Sequence, residues 1–176
     1  MTAPEFSRPT PIRRLAETET TIAIAATEAE RAALARRLDL PAIAALAAEF
    51  RLRPLPGGRI AAHLALSADL TQICVVTLDP FPVALRESAV LRFVPAGAEA
   101  NDSDPEAPDE IPYTGETIDL GEAAAEQLAL ALDPWPRKPG LAQGNEPGSE
   151  PAAPRPLAEQ LTRSPAYRRP PRSPGR

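Results

Sequence analysis

The sequence has very few of the residues on which most enzyme and metal sites depend. Among its 176 residues there is one cysteine, Cys74, and one histidine, His63. One residue of each type cannot supply the roughly four ligands of a structural zinc site, and a cysteine nucleophile needs a histidine base beside it. A single cysteine also cannot form an internal disulfide, which makes a reducing cytoplasm the expected location. We therefore expect no metal, no cofactor and no enzymatic activity.

Aromatic residues and long apolar runs are scarce as well. Only 4% of the residues are aromatic, and alanine supplies much of the 43% that are hydrophobic, so the core has to rely on leucine, isoleucine and the four phenylalanines. No uncharged apolar run reaches the roughly 18 residues that a membrane-spanning helix requires. Gly57-Gly58 lies in a predicted hairpin turn and opens no helix, so it does not form a glycine-rich phosphate loop.

Proline and charge are abundant but unevenly distributed. The 23 prolines crowd towards the two ends and one loop, and the net charge of -5 combines an acidic block with a basic C-terminal part. Such blocks are typical of solvated segments, which either interact with partners or serve solubility alone. We predict a flexible N-terminal arm at 1–11, a folded domain at 12–140 with a mobile acidic loop at 96–111, and a disordered Pro/Arg-rich tail at 141–176.

Alternating apolar residues predict an antiparallel sheet. The densest run of β-forming residues is Gln72–Pro80, which we interpret as part of a central strand that begins at Ala68 and buries Cys74 as a small hydrophobic residue. His63 falls on the polar face of its strand, where we expect it to be exposed. Consecutive strands joined by short turns predict a meander that curls into a half-barrel. The other strands of this meander are predicted at 44–53, 59–67 and 83–94, and a separate half-buried strand is predicted at 20–25.

Two N-terminal capping patterns predict the main helices. In Thr27-Glu28-Ala29-Glu30 the first and last residues can cap each other's amides, which predicts a helix from Glu28 to Leu38. Asp119-Leu120-Gly121-Glu122 has the same pattern with aspartate as the cap. The second helix ends at Asp133-Pro134 and should cover the sheet with Leu128.

Three smaller features complete the predicted fold. We expect a short helical turn from Pro41 through Ile43, a bulge or an end of burial near Glu87, and a short edge strand at 113–118. The predicted fold class is α+β: a curled antiparallel sheet, as a meander or half-barrel, flanked by two main helices, with a disordered C-terminal tail.

Two groups of cations are candidate contacts for RNA or for a partner. Arg51 and Arg53 share the outward phase of one strand, and Arg59 lies on the same hairpin. The second group is an aromatic residue beside two cations in a proline-stiffened segment, an arrangement that can stack on a base and contact phosphates. Its members are Trp135, Arg137 and Lys138. Alternatively, Trp135 plugs the helix end into the core, and the cations only balance the acidic loop.

Several motifs together resemble one known family. Gln72-x-Cys74-x-x-Thr77-Leu78-Asp79-Pro80 is followed about forty residues later by Ile118-Asp119-Leu120-Gly121-Glu122 and by Glu126-Gln127-Leu128-x-Leu130-Ala131-Leu132-Asp133-Pro134-Trp135-Pro136-Arg137. This order and spacing resembles the YceD family of large ribosomal RNA subunit accumulation proteins, and Glu30-Arg31-x-x-Leu34-Ala35-Arg36-Arg37-x-x-Leu40 fits its alphaproteobacterial branch. The resemblance covers roughly Phe6 to Gly140.

The resemblance implies a non-enzymatic, cytoplasmic factor in the synthesis, processing or accumulation of large-subunit (23S) ribosomal RNA. Such a factor would bind pre-ribosomal RNA or an early ribosomal protein. The competing interpretation is an adaptor that binds a basic ribosomal protein through the acidic 96–111 loop, without RNA contact. Many family members have a second cysteine three residues after the first, which suggests a metal site. Because Thr77 occupies that position here, we expect no metal in this chain.

Overall fold

The computed structural model describes residues 4–15, 18–98 and 108–140. Most of the described residues belong to two sheets and two helices. In chain order the elements are β1 (Pro9–Pro11), β2 (Thr20–Ala25), α1 (Glu28–Arg37), β3 (Ala42–Pro54), β4 (Ile60–Ile73), β5 (Pro80–Pro95), β6 (Asp109–Tyr113), β7 (Thr117–Asp119) and α2 (Leu120–Ala131).

The large sheet has five strands in the order β2-β3-β4-β5-β6. The first four are consecutive antiparallel neighbours, whereas β6 pairs with β5 in parallel. A separate antiparallel pair joins β1 to β7. The predicted α+β class, a sheet flanked by two helices, is confirmed. The large sheet is mixed, because β6 is parallel, and its strand order is open.

One face of the large sheet forms the core. Alternate residues of β3 and β4 are buried there, among them Phe50, Leu52 and Leu64. The helix α1 packs on β3, and α2 packs on β4 and β5. Leu128 of α2 is fully buried within this core, as the predicted covering helix requires. The opposite face, which we call the outer face, carries small and charged residues.

The first residues of the described chain are anchored, in contrast to the flexible arm expected at 1–11. Phe6 is fully buried, and Pro9–Pro11 forms β1. The amide of Arg8 donates to Asp119 Oδ1 at 2.7 Å, and the Arg8 guanidinium pairs with Glu30 at 2.6 Å. Gly121 leaves room for this segment, since a Cβ at that position would lie 2.7 Å from the Phe6 carbonyl oxygen. One buried apolar side chain, Phe6, is therefore enough to anchor this otherwise polar segment.

Both predicted helix caps are present. The amide of Glu30 donates to the Thr27 hydroxyl, and the Glu30 carboxylate accepts from the Thr27 amide, so this capping box is confirmed. Asp119 accepts from the amides of Gly121 and Glu122. The Glu122 carboxylate, which a full capping box would use to accept from the Asp119 amide, instead pairs with Arg37 at 2.9 Å. This ion pair links the two helices.

The predicted strand at Gln72–Pro80 is wrong. The strand β4 is continuous from Ile60 and ends at Ile73, and residues 74–79 form the turn into β5. Within this turn the Cys74 amide donates to Asp79 O, and the Leu78 amide donates to Cys74 O, both at 2.9 Å. These bonds close a local loop. Cys74 is buried as expected, whereas Val76 and Leu78, which a central strand would bury, are exposed.

The smaller predicted features also change. The turn from Pro41 through Ile43 is wrong, because β3 begins at Ala42. Glu87 lies in a pairing without a register shift, so there is no bulge, and it is exposed. Burial along β5 is interrupted at Glu87 and resumes at Leu91 and Phe93. The acidic loop is shorter than 96–111, because β6 begins at Asp109 and forms the parallel pair with β5. Residues 99–107 and the tail at 141–176 lie outside the described residues.

Candidate functional site

Three arginines lie together at one end of the outer face. Arg51 and Arg53 are exposed on β3, opposite His63 and Ala61 of β4. Arg59, also exposed, precedes buried Ile60, and its carbonyl accepts from the Leu55 amide at 2.7 Å, which extends the hairpin. Same-face neighbours along a strand are about 7 Å apart. We call Arg51, Arg53 and Arg59 the basic cluster.

The turn beside the basic cluster is held in place by its neighbours. Gly57 and Gly58 take φ angles of 77° and 75°, a region that costs glycine little. The hydroxyl of Tyr113 on β6 donates to the Gly58 carbonyl at 2.6 Å. The cluster is therefore carried by a hairpin whose turn is bonded to another strand of the same sheet.

The basic cluster has no acidic partner within the described ranges. Arg8, Arg37, Arg86 and Arg92 each form an ion pair with a carboxylate. By contrast, the side chains of the three cluster arginines form no ion pair and no hydrogen bond with any described residue. Glu49, the one acid of β3, lies two residues before Arg51 on the same face but is not paired with it. Three surface cations that are not held in ion pairs can attract an anionic partner.

A shallow depression of about 290 Å³ adjoins the basic cluster on the outer face. His63 is exposed there, as predicted from its strand face. Ala65 on β4 pairs with Ser88 on β5, and the short side chains of these two residues leave the surface open. The residues around this depression include Glu49, Arg51, His63, Ala65, Ser88 and Val90.

A second surface lies at the opposite end of β4. It consists of residues 74–79, the turn into β5, and residues 133–138, which follow α2. We call this surface the tip. Two hydrogen bonds join these segments: the Val75 amide donates to Pro136 O at 2.9 Å, and the Lys138 amide donates to Cys74 Sγ at 3.4 Å. A third joins the end of β4 to the segment after α2, since Gln72 Nε2 donates to Asp133 O at 3.2 Å.

Cys74 holds this junction through its sulfur. The side chain is buried. The amide of Lys138, which donates to Sγ, lowers the pKa of the thiol to about 7, with further hydrogen bonds from Thr77 and Val76 acting in the same direction. The thiol is thus an acceptor that ties the segment after α2 to the turn after β4. This matches the predicted burial of Cys74 but gives it a contact that its sequence position did not indicate.

The tip exposes apolar side chains. Trp135 is 72% exposed, Leu78 75% and Val76 60%. The alternative that Trp135 plugs the core is therefore wrong. Its amide donates to Asp133 Oδ1 at 2.8 Å, which turns the chain outward immediately after α2. Arg137 and Lys138 are exposed beside it.

The residues at the tip do not fit a metal site. Thr77 occupies the position of the expected second cysteine, and its hydroxyl accepts from the Asp79 amide at 3.4 Å. In the part of the chain that the structure describes, no three His, Cys, Asp or Glu side chains are grouped so that they could hold a metal ion. Nor does this part contain a helix of sufficient length and hydropathy to cross a membrane.

The structure separates the six predicted contact residues into two groups. The three arginines of the basic cluster lie together, and Trp135, Arg137 and Lys138 lie at the tip, at the other end of the 14-residue β4. The prediction missed the contribution of Val75, Val76 and Leu78 to the second surface. Leu78-Asp79-Pro80 indicated that the strand ends and a turn follows, because proline has no amide hydrogen for strand pairing. The β-branched residues before it favoured a strand.

Comparison with known proteins assigns the family. No curated protein and no solved structure matches the chain. The model of a family described as large ribosomal RNA subunit accumulation protein YceD matches residues 62–161, more than half of the 176 residues. The match includes both segments that form the tip, and the description places the family in ribosome biogenesis. The chain therefore belongs to the YceD family of large ribosomal RNA subunit accumulation proteins.

Proposed function

We propose that this protein supports large-subunit ribosomal RNA accumulation in the cytoplasm by binding precursor RNA through the basic cluster, without catalysing a reaction. One observation carries the proposal: Arg51, Arg53 and Arg59 share one exposed surface and have no acidic partner among the described residues. The family supplies the role in ribosome biogenesis. The choice of RNA as the direct ligand rests on the charge arrangement.

The net charge of the chain makes the location of these cations decisive. A protein of charge -5 repels RNA at long range, so binding requires a surface that is locally positive. Arginine suits such a surface because its planar guanidinium donates two parallel hydrogen bonds to one phosphate. The open depression next to Arg51 leaves space for a nucleotide, and His63 and Ser88 provide polar groups around it.

Salt dependence tests phosphate contact directly. Each phosphate that a cation neutralises on a single strand releases counterions and contributes about -0.7 to the slope of log K against log salt concentration. We would titrate a single-stranded fragment of precursor 23S ribosomal RNA at several salt concentrations with the parent chain. The variant replaces all three cluster arginines by glutamine. Its slope should be less steep by about 2 if each arginine contacts one phosphate.

A matched control separates local contact from total charge. Arg13, Arg14 and Arg36 are exposed arginines outside the basic cluster, and their replacement by glutamine removes the same total charge. This control should retain the parent slope. Equal slopes for the cluster variant and the parent would contradict RNA binding by the cluster. Absence of RNA binding at every salt concentration would favour the adaptor that binds a basic ribosomal protein.

A further inference from the structure

The apolar side chains at the tip form a concentrated patch. Seven large hydrophobic residues are exposed among the described residues, and five of them belong to the tip or directly precede it. These five are Ile73, Val75, Val76, Leu78 and Trp135. Scattered exposed apolar residues need no explanation, but a contiguous group of this kind marks an interaction surface.

The backbone at the tip supports this interpretation. Leu78 has a φ of 60°, a left-handed conformation that costs a residue with a bulky side chain roughly 1–2 kcal/mol. Glycine or asparagine would adopt this conformation more readily. Because Leu78 is 75% exposed, burial of its side chain does little to offset this strain, and strained residues of this kind concentrate at functional sites.

We propose that the tip is a docking surface for a protein that presents an apolar groove with acidic residues beside it. Trp135 and Leu78 would enter the groove, and Arg137 and Lys138 would face the acidic rim. Both cations are exposed and form no ion pair with a described residue. Of the two acids at the tip, Asp133 already accepts the Trp135 amide, and Asp79 is the other.

The composition of the patch favours a protein over RNA. Valine and leucine side chains have no aromatic face for a base and no charge for a phosphate, whereas the core of a protein interface is apolar and is centred on residues such as tryptophan. The three hydrogen bonds that hold residues 133–138 against the turn and the end of β4 fix the backbone around Trp135 before binding. A surface organised in advance loses less conformational entropy on association.

The tip and the basic cluster can be occupied at the same time. They lie at opposite ends of β4, whose 14 residues span roughly 45 Å at about 3.3 Å per residue. A chain that binds RNA at one end and a protein at the other would bring the two together. The tip proposal does not depend on RNA binding by the cluster, and each is tested by its own variants.

The first experiment identifies the partner by crosslinking. The photoreactive residue p-benzoylphenylalanine replaces Val76 in the full chain, and the control carries it at Ala23, an exposed position on the outer face of β2. Both proteins are irradiated in an extract of the source cells that has been treated with nuclease. We expect one protein crosslinked from position 76 and not from position 23. Crosslinking to RNA alone in untreated extract, or no product specific to position 76, would overturn the proposal.

The second experiment measures direct binding to that identified and purified protein by calorimetry. Leu78→Asn and Trp135→Ala should each weaken binding by about 10- to 100-fold, the range for residues at the centre of an interface. Val90→Ser is the matched control, since Val90 is an exposed apolar residue of the outer face, and it should leave binding unchanged. Replacing Arg137 and Lys138 by glutamate should also weaken binding.

Two results would refute the docking surface at this stage. One is an affinity for Leu78→Asn equal to that of the parent; the other is a loss for Val90→Ser as large as that for Leu78→Asn. Unchanged affinity of the Arg137 and Lys138 variant would refute the acidic rim. A parallel RNA titration completes the comparison, because Trp135→Ala should retain the RNA affinity of the parent. A loss there would assign Trp135 to RNA and overturn its assignment to a protein groove.

Discussion

Gly121→Ala should destabilise the protein, although helix propensity alone predicts the opposite. Gly121 lies in the first turn of α2, and alanine is favoured over glycine in a helix by up to about 1 kcal/mol. The added Cβ, however, would lie 2.7 Å from Phe6 O, 2.8 Å from Arg8 N and 2.9 Å from Phe6 C. These are backbone atoms that cannot rotate away, so the N-terminal segment has to move.

The expected net effect follows from what this segment loses. Phe6 is fully buried, and displacing such a side chain forfeits up to roughly 1.5–3 kcal/mol. The hydrogen bond from the Arg8 amide to Asp119 contributes about 1 kcal/mol more. After the gain in helix propensity is subtracted, we expect Gly121→Ala to lower the free energy of unfolding by about 2–3 kcal/mol. Urea denaturation measures this directly, and thermal unfolding should show a decrease in Tm of roughly 6–10 °C.

In a chain truncated at its N-terminus, we expect Gly121→Ala to raise the stability instead of lowering it. In a protein that begins at Pro9 the clashing atoms are gone, and Gly121→Ala should then stabilise by up to about 1 kcal/mol through helix propensity. Stabilisation of the full-length protein by Gly121→Ala would refute the packing of residues 6–8 against α2. Equal destabilisation of both proteins would place the effect elsewhere in α2.

Three further predictions concern the core, pH and metal. Leu128→Ala should lower the free energy of unfolding by about 2–5 kcal/mol, whereas Leu130→Ala, at an exposed position of the same helix, should change it by less than about 1 kcal/mol. Arg8 and the Thr27 cap lower the pKa of Glu30 to about 2. The stabilisation that the ionised Glu30 carboxylate gives the folded state is therefore complete above the ordinary pKa of 4.5 and is lost as pH falls through about 2. Glu30→Gln should cost about 1–2 kcal/mol at pH 7 and less than about 0.5 kcal/mol at pH 2, as urea denaturation at both pH values would show. Elemental analysis should find no stoichiometric zinc, and zinc lost together with stability in Cys74→Ser would contradict this.

The helices were predictable because their signals are local. A capping box satisfies two backbone amides within four residues. Thr27 and Glu30 therefore indicate the start of α1 without information from the rest of the chain. Asp119 caps α2 for the same reason, but it also binds Ser7 and Arg8. Those contacts cross more than 100 positions in sequence, and no local pattern indicates them.

The strand pairing was predictable only where neighbours in sequence are neighbours in space. Short turns between β3, β4 and β5 make antiparallel pairing the expected result. The parallel partner β6 contains Pro112, which lacks an amide hydrogen, and it follows residues 99–107, so neither propensity nor turn length indicated its position. The burial of Phe6 depends on the surface that receives its side chain, here the space left by Gly121, and no local pattern encodes that surface.

The candidate surfaces were predictable to different degrees. Strand alternation places Arg51 and Arg53 on the outer face, and the structure has them there. Their lack of an ion pair depends on which residues the neighbouring strands β2 and β4 place beside β3, which alternation does not encode. Trp135 is exposed because the chain turns outward where its backbone amide donates a hydrogen bond to the Asp133 carboxylate. Sequence patterns do not determine a single contact of this kind at the end of a helix.

The strongest β-forming run of the chain, Gln72–Pro80, ends as a turn, and this discrepancy is itself informative. β-Propensity reflects packing on a half-buried sheet surface, and Val75, Val76 and Leu78 lack such a surface because they lie beyond the end of β4. Selection for the fold alone would replace them by polar turn residues, with glycine or asparagine at the left-handed position of Leu78. The other departures from prediction in the large sheet, such as the start of β3 at Ala42 and the parallel strand β6, leave no run of exposed apolar residues. The conflict at the tip does, and it therefore indicates a requirement outside the folded chain. Binding of a partner at this surface supplies such a requirement.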